Sequence, residues 1–472
     1  MSTKVKGGRI VRKIEKLYEG NIRKKYLLFA IPLILSALLS QSYSFINSMM
    51  IGKILGSEAF AATAVTAQLI ELLSSIFWGY LAGIGIYVSV LFGKNEHKQM
   101  LNVIKINLLI SLTFSVLVAL LCNIFCHQIF DILNVNAEVY KNAEIYFRTY
   151  VVGLIIFQFV WGFTFVVNGM GLTKLPLTAS IFTGIINVIL NYVFLGVMGK
   201  SIGYSALASI IANSVSVIFY LFVFTDIFKN MGINIFQKMT VSREQIKISL
   251  SYGAPTLFQQ MAMYSCTTIV SPLTNKCSTA AISGYAIATK AQTLIAAIYQ
   301  NSSKANTNFI AQAMGAGAID KIKKGIRIGI SQSLIFFGVI MGLLIIFAKQ
   351  FTGLFLDPVT DAESFSVSVN IIRFLMPLII FNVFNNLFHG IFRAIGSGKL
   401  LITSTAIYSV CFVIYAYIMF AILPQEIKIY GVHLALGAAY ITEVSFATFI
   451  FATGKWKTTE YRELEAKQNM VS

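Results

Sequence analysis

The sequence is short of charge, shorter still of acids, and sparing with the residues that break or cross-link a chain. Charged residues are 12% of the 472, with 19 acids against 37 bases, 7 prolines and 5 cysteines. A soluble domain carries about 25% charged residues, so a water-exposed globule is excluded. The scattered Cys122, Cys126, Cys266, Cys277 and Cys411 make no disulfide framework. Cys122, Cys126 and His127 lack a partner cluster and read as packing at a helix end, not a metal site. Walker loops, serine elbows and metal-ligand spacings are missing. An enzyme is therefore not expected, and neither is a cofactor or a nucleic-acid partner.

What is present is apolar surface: 57% hydrophobic residues and a mean hydropathy of +0.75. Stretches of about 20 residues, each enough to cross a bilayer core of about 30 Å, recur near 26–52, 60–93, 104–126, 145–169, 175–199 and 203–226. Six more lie near 249–275, 279–313, 327–348, 365–393, 399–423 and 430–453. The runs at 60–93 and 279–313 exceed the bilayer and are expected to project into the cytoplasm. The chain thus reads as an all-α membrane protein of about twelve transmembrane helices.

These spans form a duplication. Ala30-Ile-Pro32 recurs as Gly253-Ala-Pro255, a step of 255 − 32 = 223. Leu91-Phe-Gly-Lys94 returns as Ala313-Met-Gly-Ala316, Arg148 as Arg373, and Gly171-Leu-Thr-Lys-Leu-Pro-Leu-Thr178 as Gly396-Ser-Gly-Lys-Leu-Leu-Ile-Thr403, at offsets of 222 to 225. Six spans per half make the repeat parallel, with a binding site expected between two six-helix lobes, around a central cleft. The expected division is a basic N-terminal segment 1–25, an N-lobe 26–228, a loop 229–248, a C-lobe 249–453 and a polar tail 454–472. With the N-terminus inside, the inner segments carry 27 Lys and Arg and the outer loops 6. Both termini are thus expected in the cytoplasm, and the +18 net charge is a topology signal and an attraction to anionic lipid. Ile10, Val11, Ile14, Leu17 and Tyr18 fit an amphipathic surface helix or a disordered basic tail equally well. Ser242-Arg-Glu-Gln245 has the form of a capping box, and Pro32 and Pro255 read as helix-start prolines.

A charge at mid-membrane costs about 3 kcal/mol on insertion scales, so each needs an interior partner or water. Outside the loops remain Glu71, Glu443, Arg148, Lys290, Lys304 and Arg373. Three polar stripes at helical spacing suggest a lined cavity in the first half: Ser36, Ser40, Ser44 and Asn47; Glu71, Ser75, Gly79 and Gly83; and Ser180, Thr183, Asn187 and Asn191. Direct interhelical hydrogen bonding is the alternative. In the second half Thr256, Gln260, Tyr264 and Thr268 share a face. The dense run Asn301-Ser-Ser-Lys-Ala-Asn306 is expected to face a cavity or the cytoplasmic vestibule. Gln260, Tyr264, Lys290, Asn301 and Lys304 are the substrate-cavity candidates. Arg148 and Arg373 read as fold anchors, and Glu443 has no evident role.

Several motifs resemble the bacterial branch of the multidrug and toxic compound extrusion (MATE) family. They are Ala30-Ile-Pro-Leu-Ile-Leu-Ser36, Asn47-Ser-Met-Met-Ile-Gly-Lys-Ile-Leu-Gly56 followed by Glu58-Ala-Phe-Ala-Ala62, Asn187-Val-Ile-Leu-Asn191, Phe309-Ile-Ala-Gln-Ala-Met-Gly-Ala-Gly317 and Gly390-Ile-Phe-Arg-Ala-Ile-Gly396. The resemblance spans roughly residues 24–453. It implies two six-helix lobes, a V-shaped cleft, and antiport of small organic compounds against protons or sodium. Family members commonly have aspartate at the positions of Asn47 and Asn191, where it is thought to serve coupling. An amide has no titratable proton and holds sodium less well than a carboxylate. Glu71 is then either a relocated coupling carboxylate or a structural partner of a lysine, with Asn47, Asn187 and Asn191 as the remaining coupling-ion candidates. The expectation is a monomeric, multi-pass exporter in the inner (plasma) membrane, working by alternating access. A flippase for lipid-linked sugars is the alternative. The excess of basic over acidic residues within the spans keeps a neutral or anionic substrate open.

Overall fold

The computed structural model describes residues 16–132, 135 and 137–471. Ile10, Val11 and Ile14 lie outside the described residues, while Leu17 and Tyr18 sit in a turn before the first helix. Residues 31–257, with the described residues up to Gly20, form unit 1; residues 21–30 and 258 onward form unit 2.

Among the described residues all regular structure is helical. Unit 1 contains most of α1 (Ile22–Leu55), then α2 (Ser57–Lys94), α3 (His97–Ile124), the short α4 (Cys126–Ile132), α5 (Ala137–Gly169), α6 (Lys174–Asn191), α7 (Gly203–Asn230) and the first half of α8 (Arg243–Thr274). Unit 2 continues with α9 (Thr279–Gly315), α10 (Ile319–Ile346), α11 (Ala348–Gly353), α12 (Ala362–Asn370), α13 (Ile380–Ala394), α14 (Gly398–Ile422), α15 (Lys428–Ala452) and α16 (Thr459–Val471). Among the described residues ten spans are long and apolar enough to cross a membrane. Helices α8 and α9, at 32 and 37 residues, have the length but carry the polar runs noted above. Outer faces such as Leu109, Leu117 and Leu120 of α3, or Ile335, Val339 and Ile346 of α10, are exposed. Apolar surface on this scale needs lipid rather than water. The protein is an integral membrane protein.

The two halves repeat down to their caps. At the end of α2 the N–H of Asn95 donates to the Phe92 carbonyl (3.2 Å) and that of Glu96 to Leu91 (3.0 Å). At the end of α9 Gly317 donates to Met314 (3.1 Å) and Ala318 to Ala313 (2.9 Å), the same bonds 222 residues on. Asn95 and Gly317 both take the left-handed conformation that closes such a cap, φ 61° and 69°. Gly171 (φ 89°) and Gly396 (φ 74°) repeat the pattern after α5 and α13. Arg148 donates to the Asn123 carbonyl at the end of α3, and Arg373 to the Ile345 carbonyl at the end of α10 (3.3 Å). Each arginine thus neutralises a helix C-terminus. Both act as the fold anchors expected of them.

Four expectations need correction. Pro32 and Pro255 lie well inside α1 and α8, not at helix starts, and the two helices change unit within two residues of them, at 30/31 and 257/258. The unit boundary therefore falls within helices rather than in the 229–248 loop. That loop is held to unit 1 by Asn102, whose carboxamide bonds both the N–H and the carbonyl of Thr240, and by Lys105 Nζ on the Gln237 carbonyl (2.8 Å). Only half the capping box forms: Ser242 Oγ accepts from the Glu244 N–H (3.2 Å), while Gln245 accepts from Asn102 Nδ2 (2.7 Å). The polar tail is largely a helix, α16, whose Tyr461 is wholly buried against Trp456. Its Glu465 bridges Lys323 (2.9 Å) and Lys457 (2.7 Å).

Candidate functional site

In unit 1, α1 and α6 bring their polar stripes together. Ser36 Oγ meets Ser180 Oγ at 2.7 Å, and about three turns further along α1 and two along α6 Asn47 Nδ2 donates to Asn187 Oδ1. Asn191 Nδ2 reaches Asn47 Oδ1 and Asn187 Oδ1, each at 3.3 Å, and the Asn187 carbonyl at 2.9 Å. Asn187 Nδ2 in turn donates to Ser209 Oγ on α7 (3.0 Å). The three asparagines form one neutral cluster, and buried Asn191 keeps its Oδ1 without a hydrogen-bond partner. A π-helical turn, Tyr192–Val197, follows Asn191 directly; such widened turns often mark functional positions. Thr183 bonds Ser216 of α7.

The α2 stripe is a different surface. A Cβ on Gly83 would collide with the Tyr252 carbonyl of α8, so its lower part is a close helix contact. Ser75 is buried and bonds its own helix, at the Leu72 carbonyl (2.7 Å). Glu71, higher up, makes no hydrogen bond or ion pair among the described residues and stands in the field of Tyr150 on α5. Two of the three stripes thus bond directly to each other, and the third packs.

In unit 2 the run from Asn301 to Asn306 is packed inside the bundle, against the expectation of an open vestibule. Ser302 Oγ pairs with Ser333 Oγ (2.8 Å), its carbonyl accepts from Tyr26 OH (2.6 Å), and Ser303 Oγ donates to the Asn386 carbonyl (2.7 Å). Ser302 and Ser303 are thus satisfied by α10, α13 and the start of α1, while both side-chain polar atoms of buried Asn306 have no hydrogen-bond partner among the described residues. Lys304 Nζ donates to Asn301 Oδ1 (3.2 Å), so these two candidates do meet. Lys290 is exposed and Gln260 half-buried; neither bonds to them among the described residues. Tyr264 is exposed at 39%, and its carbonyl accepts from Thr268 Oγ1 (3.0 Å).

The most tightly bonded site joins residues that had not been grouped. His389 Nε2 of α13 lies 2.7 Å from Glu443 Oε1 of α15, with the side chains 6% and 2% exposed, and 3.3 Å from Ser404 Oγ. Ser404 Oγ of α14 donates to Glu443 Oε1 (3.0 Å), and Gln259 of α8 contacts His389 Nδ1 at 2.6 Å. Glu443 had been singled out alone, and Gln260 in place of its neighbour Gln259. The available signal was a histidine near the end of an expected span, passed over because a neutral imidazole does not count as a charge.

Paired helical units with apolar outer faces and buried polar sites define a duplicated polytopic membrane protein. The chain belongs to the MatE family, whose model matches residues 32–193 and again 255–418. It is 22% identical over 443 residues to the probable multidrug resistance protein YpnP of Bacillus subtilis, covering 93% of this chain and 97% of that one. It is 21% identical to the multidrug export protein MepA of Staphylococcus haemolyticus, over 81% and 83% of the two chains. Its fold matches an outward-facing multidrug resistance MATE family transporter of the MOP superfamily (TM-score 0.86, 17% identity, 94% of this chain and 98% of that one). It also matches a MOP superfamily transporter from Pyrococcus furiosus described as having a binding pocket of reverse polarity (TM-score 0.85, 18% identity, 94% and 98%).

Proposed function

We propose that the protein exports small organic compounds across the plasma membrane by alternating access, in exchange for protons or sodium. The observation that carries this is the family match in both halves, joined to buried polar sites in a chain whose outer faces are apolar. Both termini are cytoplasmic on this reading, given the 27 to 6 distribution of basic residues, and the monomer is the working unit. Within unit 1 the asparagine cluster is neutral, so Glu71 is the carboxylate that serves coupling there. A neutral or anionic substrate is favoured by the four basic against two acidic side chains within the spans. The lipid-linked sugar reading is not favoured, since the relatives above are drug-resistance proteins.

The test is purified protein in liposomes with imposed proton or sodium gradients and a panel of cationic, anionic and neutral dyes. Gradient-driven movement of at least one dye is expected, with anionic or neutral dyes preferred. Flux equal to protein-free liposomes under every gradient would overturn the reading. Undiminished coupling in Glu71→Gln would remove Glu71 from it.

A further inference from the structure

We infer that Gln259, His389, Ser404 and Glu443 form a proton-binding site in unit 2, with His389 the group that gains and loses the proton. The inference rests on the transport reading for its use, though not for its chemistry. In the observed geometry Glu443 Oε1 accepts from Ser404 Oγ and lies 2.7 Å from His389 Nε2, while the Gln259 amide nitrogen, a donor only, faces Nδ1. The imidazole therefore carries its proton on Nε2, and Nδ1 accepts from the Gln259 amide. A carboxamide has a donor at one end and an acceptor at the other. When a proton from water adds to Nδ1, a half-turn of the Gln259 amide presents Oε1 to the new N–H, and no hydrogen bond is lost. The cluster passes from a carboxylate beside a neutral imidazole to a neutral imidazolium–carboxylate pair. Gln259 thus serves both states, and burial makes the difference of one charge matter.

The surroundings bear on this step from every side. On α13 itself Arg393 Nε donates to the His389 carbonyl (3.2 Å), placing a cation one turn away. From α9 come Lys304, within the field of Arg393, and Tyr299, which acts on Tyr440. Tyr408 of α14 and Tyr440 of α15 stack at 5.2 Å within the field of Glu443, with Cys266 of α8 beside them. His433, ten residues earlier on α15, lies about 15 Å along the helix and packs edge-on to Tyr285. Helix α10 buries no titratable side chain. Of the groups facing this site only His389 and Glu443 are in direct acid–base contact, 2.7 Å apart, which makes them the pair that exchanges a proton.

The chain has four histidines, so imidazole 15N resonances can be assigned by replacing His97, His127 and His433 with Gln, leaving His389 untouched. Between about pH 9 and pH 5 the Nδ1 resonance of His389 is expected to move from acceptor to protonated, and Glu443→Gln is expected to displace that step. A His389 resonance constant over this range would overturn the assignment, whatever transport shows. In liposomes, His389→Gln and Glu443→Gln are expected to lose proton-driven dye accumulation. Wild-type accumulation in both variants would overturn the coupling role. A wild-type protein that moves no dye would overturn the transport reading instead, and the resonance titration would still decide the site.

Discussion

The two units share a helix plan but place their polar chemistry at different positions. In unit 1 the polar cluster joins α1 and α6 through Asn47, Asn187 and Asn191. The corresponding residues of unit 2, 223 to 225 positions on, are Val270, Phe412 and Ala416, all buried in an apolar core. Conversely His389 corresponds to Thr164, which shares a 2.9 Å contact between hydroxyls with Tyr220 of α7. One half thus holds a neutral amide cluster where the other is apolar, and the other holds an ionisable pair where the first has only hydroxyls. A duplicated scaffold keeps its caps and anchors because every helix needs them. Its interior polar sites are free to diverge, because no helix end depends on them.

The difference can be broken at its strongest point by Glu443→Leu. It leaves His389 and Ser404 buried without their acceptor and is expected to cost about 3–5 kcal/mol, read as lowered thermal stability. The matching change in unit 1, Thr164→Val, removes one neutral hydrogen bond and should cost about 1 kcal/mol. Equal losses would deny the asymmetry. The contrast can be narrowed by Asn191→Asp, which gives unit 1 a carboxylate facing Asn47 and Asn187. That variant should gain a sodium-dependent stabilisation of about 1.4 kcal/mol at ten times its dissociation constant, seen in melts in sodium against choline chloride. Wild type should show none. Smaller effects come from the anchors: Arg148→Met also loses the 2.8 Å bond to Glu144, so it should destabilise more than Arg373→Met, by about 1 kcal/mol.

The smallest expected effect concerns α16. The Lys457 and Lys323 ammonium groups hold the Glu465 carboxyl below its ordinary range. A depressed folded-state pKa gives stability that is present above the unfolded value and lost as pH falls through the folded one. Docking of α16 should therefore weaken only on acidification below the usual carboxylate range. Faster amide exchange in residues 459–471 there, abolished as a pH effect by Glu465→Gln, is the measurement.

Much of the fold was legible because spans, loops and caps are local. Length and hydropathy located the helices, the bias of Lys and Arg gave an expected sidedness, and the repeated Gly171 and Gly396 turns were visible as residues before they were visible as dihedral angles. The site was legible where polar residues recur on one helix face, as with Asn47, Asn187 and Asn191. It was illegible where partners come from four helices far apart in sequence. Nothing in Gln259 or Ser404 distinguishes it from its polar neighbours until α8, α13, α14 and α15 are packed. The polar run at 301–306 misled for the same reason: hydrophilicity predicts water, while helix packing supplied other partners to Ser302 and Ser303. Trp456, Tyr461 and Leu464 were the overlooked sign that the tail binds the bundle.

Residues 21–30 belong to unit 2 while the rest of their helix belongs to unit 1. Cutting the chain in the 231–242 loop therefore cannot yield two self-sufficient halves. The C-terminal fragment would lack Tyr26, whose hydroxyl closes onto the Ser302 carbonyl, and the N-terminal fragment would lack the beginning of α8, against which Gly83 fits. Each piece should aggregate when made alone and recover only when its complement is synthesised beside it.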